Sequence, residues 1–560
     1  MQGKKQYREK LFLSFQLSER VPQENFYRRL NELLDLKWLY QATQPYYGTE
    51  GHRSIDPVVF IKLMLIGYLE NIISDRRIIA TASMRMDMLL FLGYNIDEPL
   101  PWHSTLSRTR QLLGEAVFRQ LFQQVLRQCI DKGMVAGKRQ AVDSVFVKAN
   151  AALSSLIKKE LPEEQDSDAA QLNPAQQQQV SPPTLQPDDG INSNTAPAAD
   201  NHQPQQHESV HQLVSEAGRQ PVELSEERPI MQLPAVHRQR NSFSSFGSNQ
   251  THISTTDPDA KVSVKPGKPS LLNYLAQLSV DTACHVITNI EAHTADHRDS
   301  ECLSSVVSHT VACLQAEGLQ LEEVLADTGY SSGSALKYLE EHHITGYIPS
   351  FGPYKPEREG FTYDQDQDRY TCSRGVHLPL HLLRTTKEGY HNKLYRSAVK
   401  DCRDCPLRTQ CMGQGSSKQL EDSVDKPYYD RMHERMQTAR AKRMIRRRGA
   451  TVEPVIGTLV NYLGMKKVNT HGLNLANKCM VMAAVAYNLK KLLKHQSRSR
   501  ATAVNALLVK ANNCLSALFC CLVQPLIPKM TAHGCKPACQ YPLLLRVAYQ
   551  GKCSEVCFKT

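Results

Sequence analysis

The chain has 560 residues, 41% of them hydrophobic, and a formal charge of +11: long enough for more than one domain with sizeable cores, and basic enough to suit a polyanion partner without saying anything about fold. It has no apolar run of about 18 residues and no apolar signal core in its first twenty or so residues, which argues against a membrane span and predicts a cytoplasmic protein with no membrane contact. Its sixteen cysteines are spread over a large chain and read as thiols or metal ligands, not as a disulfide framework.

Residues 1–138 predict an all-α domain. An almost wholly apolar helix follows Pro57 (Val58 to Ile73), and Leu113, Val117, Leu121 and Val125 form a stripe at helical spacing. Between them, Ser104 or Thr105 is placed to cap a helix whose first turns carry Arg108 and Arg110, an arrangement that suits phosphate or groove contact and equally an ordinary surface helix.

From Gln140 the period changes. Ala141-Val142-Asp143-Ser144-Val145-Phe146-Val147 is a β-branched run interrupted by one acid, so a buried strand carrying Asp143 as a candidate functional side chain is expected. Residues 155–255 are rich in Gln, Pro, Ser and Asn and predict a disordered insertion, because too little apolar area is available to offset ordering. The strand pattern then resumes as a hairpin, Asn273–Asp281 and Cys284–Ala292, with one face expected to be buried. A helix over 300–317, a strand Glu323–Asp327, a Gly-rich turn opening a helix to His342 and a strand Ile344–Ile348 follow. Segments 139–154 and 256–495 together predict an α/β domain. In such sheets ligands collect at the C-terminal ends of strands, which makes Asp327 the second candidate.

The third candidate is Glu453. It follows a dense basic run (Arg435, Arg440, Lys442, Arg443, Arg446, Arg447, Arg448), and Pro454 after it suits a first helical turn, so Glu453 is expected at the mouth of a helix. Three separated carboxylates beside a cationic surface suit phosphate chemistry with two divalent ions.

Val142-Asp143-Ser144, Ala326-Asp327-Thr328-Gly329-Tyr330-Ser331 and Val452-Glu453-Pro454-Val455-Ile456-Gly457 resemble the three acidic motifs of DDE transposases from bacterial insertion sequences. His103-Ser104-Thr105 and Lys265-Pro266-Gly267-Lys268-Pro269 are similar to the insertion-sequence group eleven-eighty-two. The resemblance covers roughly residues 10–150 and 255–495. It implies an RNase H-like mixed sheet with flanking helices behind a helical DNA-binding domain. It also implies that Asp143, Asp327 and Glu453 bind Mg²⁺ (or Mn²⁺), that water nicks DNA at the element ends, and that the freed 3′-hydroxyl attacks target DNA. The implied partners are double-stranded DNA, as terminal inverted repeats and target, and further copies of the chain in a homodimer or higher oligomer on the nucleoid. Where related transposases place Tyr, Arg and Lys around the Glu, this chain has Arg446, Gly449 and Val460, so Arg443, Arg446, Arg447, Arg448, Lys466 and Lys467 are the expected DNA contacts beside Arg108 and Arg110. A metal-dependent nuclease that cuts without joining, or a non-catalytic DNA-binding protein on the same scaffold, would carry the same acids.

Segment 360–415 holds Cys372, Cys402, Cys405 and Cys411; the C-x₂-C spacing of Cys402 and Cys405 fits two thiolates on one tetrahedral ion, and a structural Zn²⁺ is expected there, with an iron–sulfur site or free thiols as the alternatives. A helix over 473–494 is expected to pack in the core. Residues 496–560 are a Cys-rich tail with no counterpart in the resemblance and no assigned role.

Overall fold

The computed structural model describes residues 14–48, 54–159, 249–263, 269–386 and 391–496 and single positions 5, 50 and 389; most of the expected insertion and nearly all of the Cys-rich tail lie outside the described residues. The N-terminal part is helical: α1 (Leu17–Arg20), α2 (Phe26–Leu33), α3 (Trp38–Thr43), α4 (Pro57–Leu69), α5 (Asp75–Ser83), α6 (Met86–Leu92), α7 (His103–Leu112) and α8 (Glu115–Asp131). Asp56 starts α4 by accepting from the N–H groups of Val58 (2.7 Å) and Val59 (3.3 Å), and Pro57 needs no donor in that first turn. α4 is buried nearly all round, as its unbroken apolar sequence requires, and α3, α5 and α6 pack on it. α7 begins at His103 with Trp102 in the cap position and no side-chain cap hydrogen bond, so the expected Ser104 or Thr105 cap is not formed.

The strands are β1 (Arg139–Lys148), β2 (Leu156–Lys158), β3 (His252–Ser254), β4 (Lys261–Ser263), β5 (Leu271–Asp281), β6 (Ile287–Thr294), β7 (Glu323–Leu325) and β8 (Thr345–Tyr347), with α9 (Asp299–Gln315) before β7 and α10 (Gly333–Glu341) after it. β1 is central. It pairs antiparallel with β5 along its length and parallel with β7, which pairs parallel with β8; β5 carries β4 and β6 antiparallel on its other side. A hairpin continued by parallel strands through helical crossovers is the expected RNase H-like mixed sheet.

Two expectations are corrected here. The stretch 155–255 is not wholly outside the fold, because β2 pairs with β3 and thereby closes its two ends. And β5 is buried on both faces, because helices cover it: α9 packs on β5 and β6, and a later helix also reaches β5. Its polar side chains are accommodated by partners. Asp281 accepts from the Gly137 N–H (2.8 Å) and from Gln140 Nε2 (3.1 Å), and Ser279 Oγ donates to Gln140 Oε1 (3.4 Å).

A second, antiparallel sheet follows, in the order β13-β12-β11-β10-β9: β9 (Phe361–Asp364), β10 (Arg369–Cys372), β11 (His377–Thr385), β12 (His391–Arg396) and β13 (Gln419–Ser423), with α11 (Val399–Arg403) and α12 (Arg408–Met412) between the last two. Tyr370, Leu378, Tyr395 and Leu420 form its small core. Then come α13 (Lys426–Gln437), α14 (Ala439–Tyr462) and α15 over 473–496. α15 is fastened to β6 by side-chain amides: Asn488 accepts from the Ile287 N–H (3.0 Å) and donates to its carbonyl (2.9 Å), and Asn477 accepts from the Ala292 N–H (3.0 Å), so backbone groups of β6 are satisfied without another strand. Among the described residues no helix is long and apolar enough to cross a membrane.

Candidate active site

Register brings the first two acids together. Ala141 of β1 lies beside Leu325 of β7 in the parallel pair, so Asp143, in the middle of β1, and Asp327, just past the end of β7, each two residues further on, fall at the same level of the sheet. Asp327 lies just beyond β7, where its Oδ1 accepts from the Gly329 N–H at 2.9 Å and fixes the turn; Ser332, not Asp327, caps α10. Asp143 Oδ1 accepts from the N–H of Ser144 at 2.8 Å.

The remaining oxygens of the pair face one cation. A terminal nitrogen of Arg448 lies 2.7 Å from Asp143 Oδ2 and 3.4 Å from Asp327 Oδ2. The Arg448 and Asp143 side chains are only 12% and 15% exposed, that of Asp327 39%. Arg448 Nε is buried with no hydrogen-bond partner among the described residues. Burial pushes the Asp143 carboxyl up to about 6 against the pull of Arg448, with repulsion from Asp327 and Asp299 adding to the rise.

Asp299 is a neighbour that the sequence reading missed. It opens α9, and its Oδ1 accepts from Gln277 Nε2 at 2.8 Å while Tyr330 donates to Gln277 Oε1. A Cβ on residue 329 would stand 3.1 Å from both Asp299 Oδ2 and Asp327 Oδ1, so glycine there permits the two carboxylates to close in on the same turn. The only trace in the sequence is an acid at the start of a helix after a hairpin, a position that the helix dipole alone would favour.

Glu453 is placed differently from expectation. α14 runs unbroken from Ala439 to Tyr462, capped by Thr438 Oγ1 accepting from the Ala441 N–H at 3.1 Å, so Glu453 sits well inside a helix and not at its mouth. The basic run is itself helical, as arginine-rich sequence allows; Pro454, which read as a first-turn signal, is absorbed within α14. Glu453 is exposed, and its carboxylate folds back over Gly449, where an added Cβ would meet Oε1 at 3.0 Å. Among the described residues no ion pair or hydrogen bond joins Glu453 to Asp143 or Asp327, and no three His, Cys, Asp or Glu side chains converge closely enough to hold a metal ion. The aspartate pair by itself fits one hard cation: its two free oxygens already share a positive charge, and oxygen donors are what Mg²⁺ or Mn²⁺ take.

The expected DNA contacts divide. Arg443, Arg446, Arg447, Lys466 and Arg108 are exposed, and Lys467 is half-buried beside the end of β1. Arg110 is not a surface residue: it is 2% exposed, and its guanidinium is committed to Asp75 at 2.8 and 3.2 Å, because α7 turns that face onto α5. Arg448 faces the aspartates instead of solvent, and Arg440 is held by Glu323. Cys372, Cys402, Cys405 and Cys411 all line one cavity of about 370 Å³ between the second sheet and α11 and α12.

Residues 15–112 match the family described as Transposase domain (DUF772), and residues 371–493 match the family described as Transposase DDE domain. The second match contains Glu453, Arg448 and the four cysteines; Asp143, Asp299 and Asp327 lie outside both. No curated protein matches the chain. Both matched families are transposase families, and together with the mixed α/β fold they support a DDE transposase, a protein that acts on DNA.

Proposed function

We propose that the chain cleaves DNA strands at the ends of an insertion sequence, of the group eleven-eighty-two, and joins them to target DNA. The observation that carries this reading is the Asp143–Arg448–Asp327 cluster, formed where the parallel pairing of β1 with β7 ends, with Asp327 just past the C-terminal end of β7, the kind of place where α/β sheets collect ligands. Asp143 and Asp327 are the residues that would hold Mg²⁺ or Mn²⁺, releasing Arg448 as they do. Once bound there, the metal would supply the charge that activates an attacking oxygen and stabilises the leaving one in an in-line displacement at phosphorus. Glu453, five residues beyond Arg448 on α14, is assigned as the third carboxylate, recruited when DNA is bound.

Arg108, Arg443, Arg446, Arg447, Lys466 and Lys467 are assigned to phosphate contacts on double-stranded DNA, both terminal inverted repeats and target. The acting form is a homodimer or higher oligomer on the nucleoid. A structural Zn²⁺ is assigned to the cavity shared by the four cysteines, whose thiols must draw together to hold it.

The test uses the full chain with duplexes carrying the element's own ends. Asp143→Asn, Asp327→Asn and Glu453→Gln are each expected to abolish Mg²⁺-dependent cleavage while end binding survives. Cleavage retained in any one removes that residue from the site. Cleavage without strand transfer in the wild type identifies a nuclease, and Asp143→Asn with every activity intact identifies a non-catalytic binding protein.

A further inference from the structure

A second basic feature lies along α14, around Pro454. Pro454 and Thr458 form one wall of a cavity of about 560 Å³ whose other walls are the β5–β6 turn at His285 and the end of α15, which contributes Lys490, Lys491 and Lys494. Lys490 and Lys494 are exposed, and Lys491 lies with its ammonium 5.9 Å from the Tyr487 ring centre. Among the described residues no Asp or Glu lines this groove. The turn is firmly built: His285 holds a left-handed backbone (φ 58°), its N–H donates to the Asp281 carbonyl at 3.0 Å, and Asp281 Oδ1 accepts from the Ala283 N–H at 2.8 Å. Burial, then repulsion from Lys491 and Arg447, holds the His285 imidazole below its ordinary range, which places Arg447 within electrostatic reach of the same groove.

Helical geometry extends the feature. Residues 443, 447, 454 and 458 fall on one stripe of α14, so the exposed Arg443 and Arg447 continue the groove along a line of about 22 Å, roughly the rise of six base pairs. Lysine heads are point charges that contact phosphates without reading bases. We infer that the groove between the β5–β6 turn, α14 and the end of α15 is a sequence-independent binding track for the phosphate backbone of duplex DNA, with Lys490 and Lys494 as its principal contacts. This rests on the DNA-acting reading above and adds where the nonspecific duplex, target or flank, lies: against Pro454, the residue after Glu453.

The experiment is anisotropy titration of the full chain with a random-sequence duplex of about 30 base pairs, over salt from about 50 to 200 mM. Each lost phosphate contact lowers the slope of log K against log salt by about 0.9, so Lys490→Gln/Lys494→Gln should flatten it by roughly 1.8 and weaken binding about tenfold at the low-salt end. Lys490→Arg/Lys494→Arg should restore both values, which separates lost charge from lost structure. An unchanged slope and affinity in the glutamine variant, with the wild type binding, overturns the groove and leaves the transposase reading standing. A loss seen with the element ends but not with random duplex overturns its sequence independence. A wild type that binds no duplex overturns both readings.

Discussion

Arg448 lies 2.7 Å from Asp143 and occupies, with a positive charge of the chain's own, the interval between two carboxylates that would otherwise repel each other. Breaking such a nearly buried pair from one side typically costs about 3–5 kcal/mol, because it strands the remaining charges. Arg448→Met is therefore expected to lower the stability of the metal-free chain by a few kcal/mol and to tighten Mn²⁺ binding, since the ion no longer competes with a guanidinium. Urea unfolding with and without Mn²⁺, together with calorimetric titration, checks both; weaker Mn²⁺ binding in the variant would show that Arg448 supports the ion instead of standing in for it.

The pH dependence follows from the carboxyl beside it. Asp143 is raised on folding from 3.8 to about 6, so the folded state binds the extra proton. The favourable contribution is then complete below about pH 4 and is lost as pH rises through 6, a fall of at most about 3 kcal/mol. Urea unfolding in EDTA at pH 4.5 and 7 should show this fall in the wild type and not in Asp143→Asn. Cleavage, which needs the ionised form, should rise over the same interval.

Arg110 gives the opposite kind of expectation. Its guanidinium is buried against Asp75, and the Lys478 ammonium donates to the Arg110 carbonyl at 3.2 Å and to that of Leu113 at 2.8 Å, so the segment is structural. Arg110→Leu should cost about 3 kcal/mol or more by leaving Asp75 without its partner. The salt slope of DNA binding by the folded variant should not change. A slope reduced by about 0.9 would return Arg110 to the DNA surface.

Gly329 tests the convergence of Asp299 on the site. A methyl group there must displace one of two carboxylates 3.1 Å away, both of them ends of side chains, so Gly329→Ala should fold with a loss of no more than about 2 kcal/mol. Mn²⁺ affinity and cleavage should each fall by tenfold or more. Unchanged values would place both carboxylates outside the working geometry.

The cysteine cavity is checked by composition. Metal analysis of the purified chain should give one zinc per chain, and Cys402→Ser/Cys405→Ser should remove it and lower the melting temperature. A wild type without zinc removes the assignment.

The sheet was legible because its strands carry short-range signals: a β-branched run at β1, short stretches bounded by turn residues at β7 and β8, and period-two alternation at β5 are visible in a window of a few residues. Parallel register then determines what no window shows, that Asp143 and Asp327 stand side by side. Arg448 and Asp299 were beyond local reading, since one looked like part of a solvated basic run and the other like a dipole-favoured helix start. Glu453 was misplaced along its helix because Pro454 usually marks a first turn, and here packing of Val452, Val455 and Leu459 overrides it. Arg110 shows the same limit in reverse: an arginine in a polar sequence is read as exposed until its helix is seen to turn it inward.

The pairing of β2 with β3 joins Leu156 to Ser254 across about one strand spacing of 4.8 Å. Ser155 Oγ and Ser254 Oγ, 2.7 Å apart, add a side-chain clasp at the same place. β1, which carries Asp143, ends a few residues before this clasp, so the pair also anchors the chain that leaves the central strand.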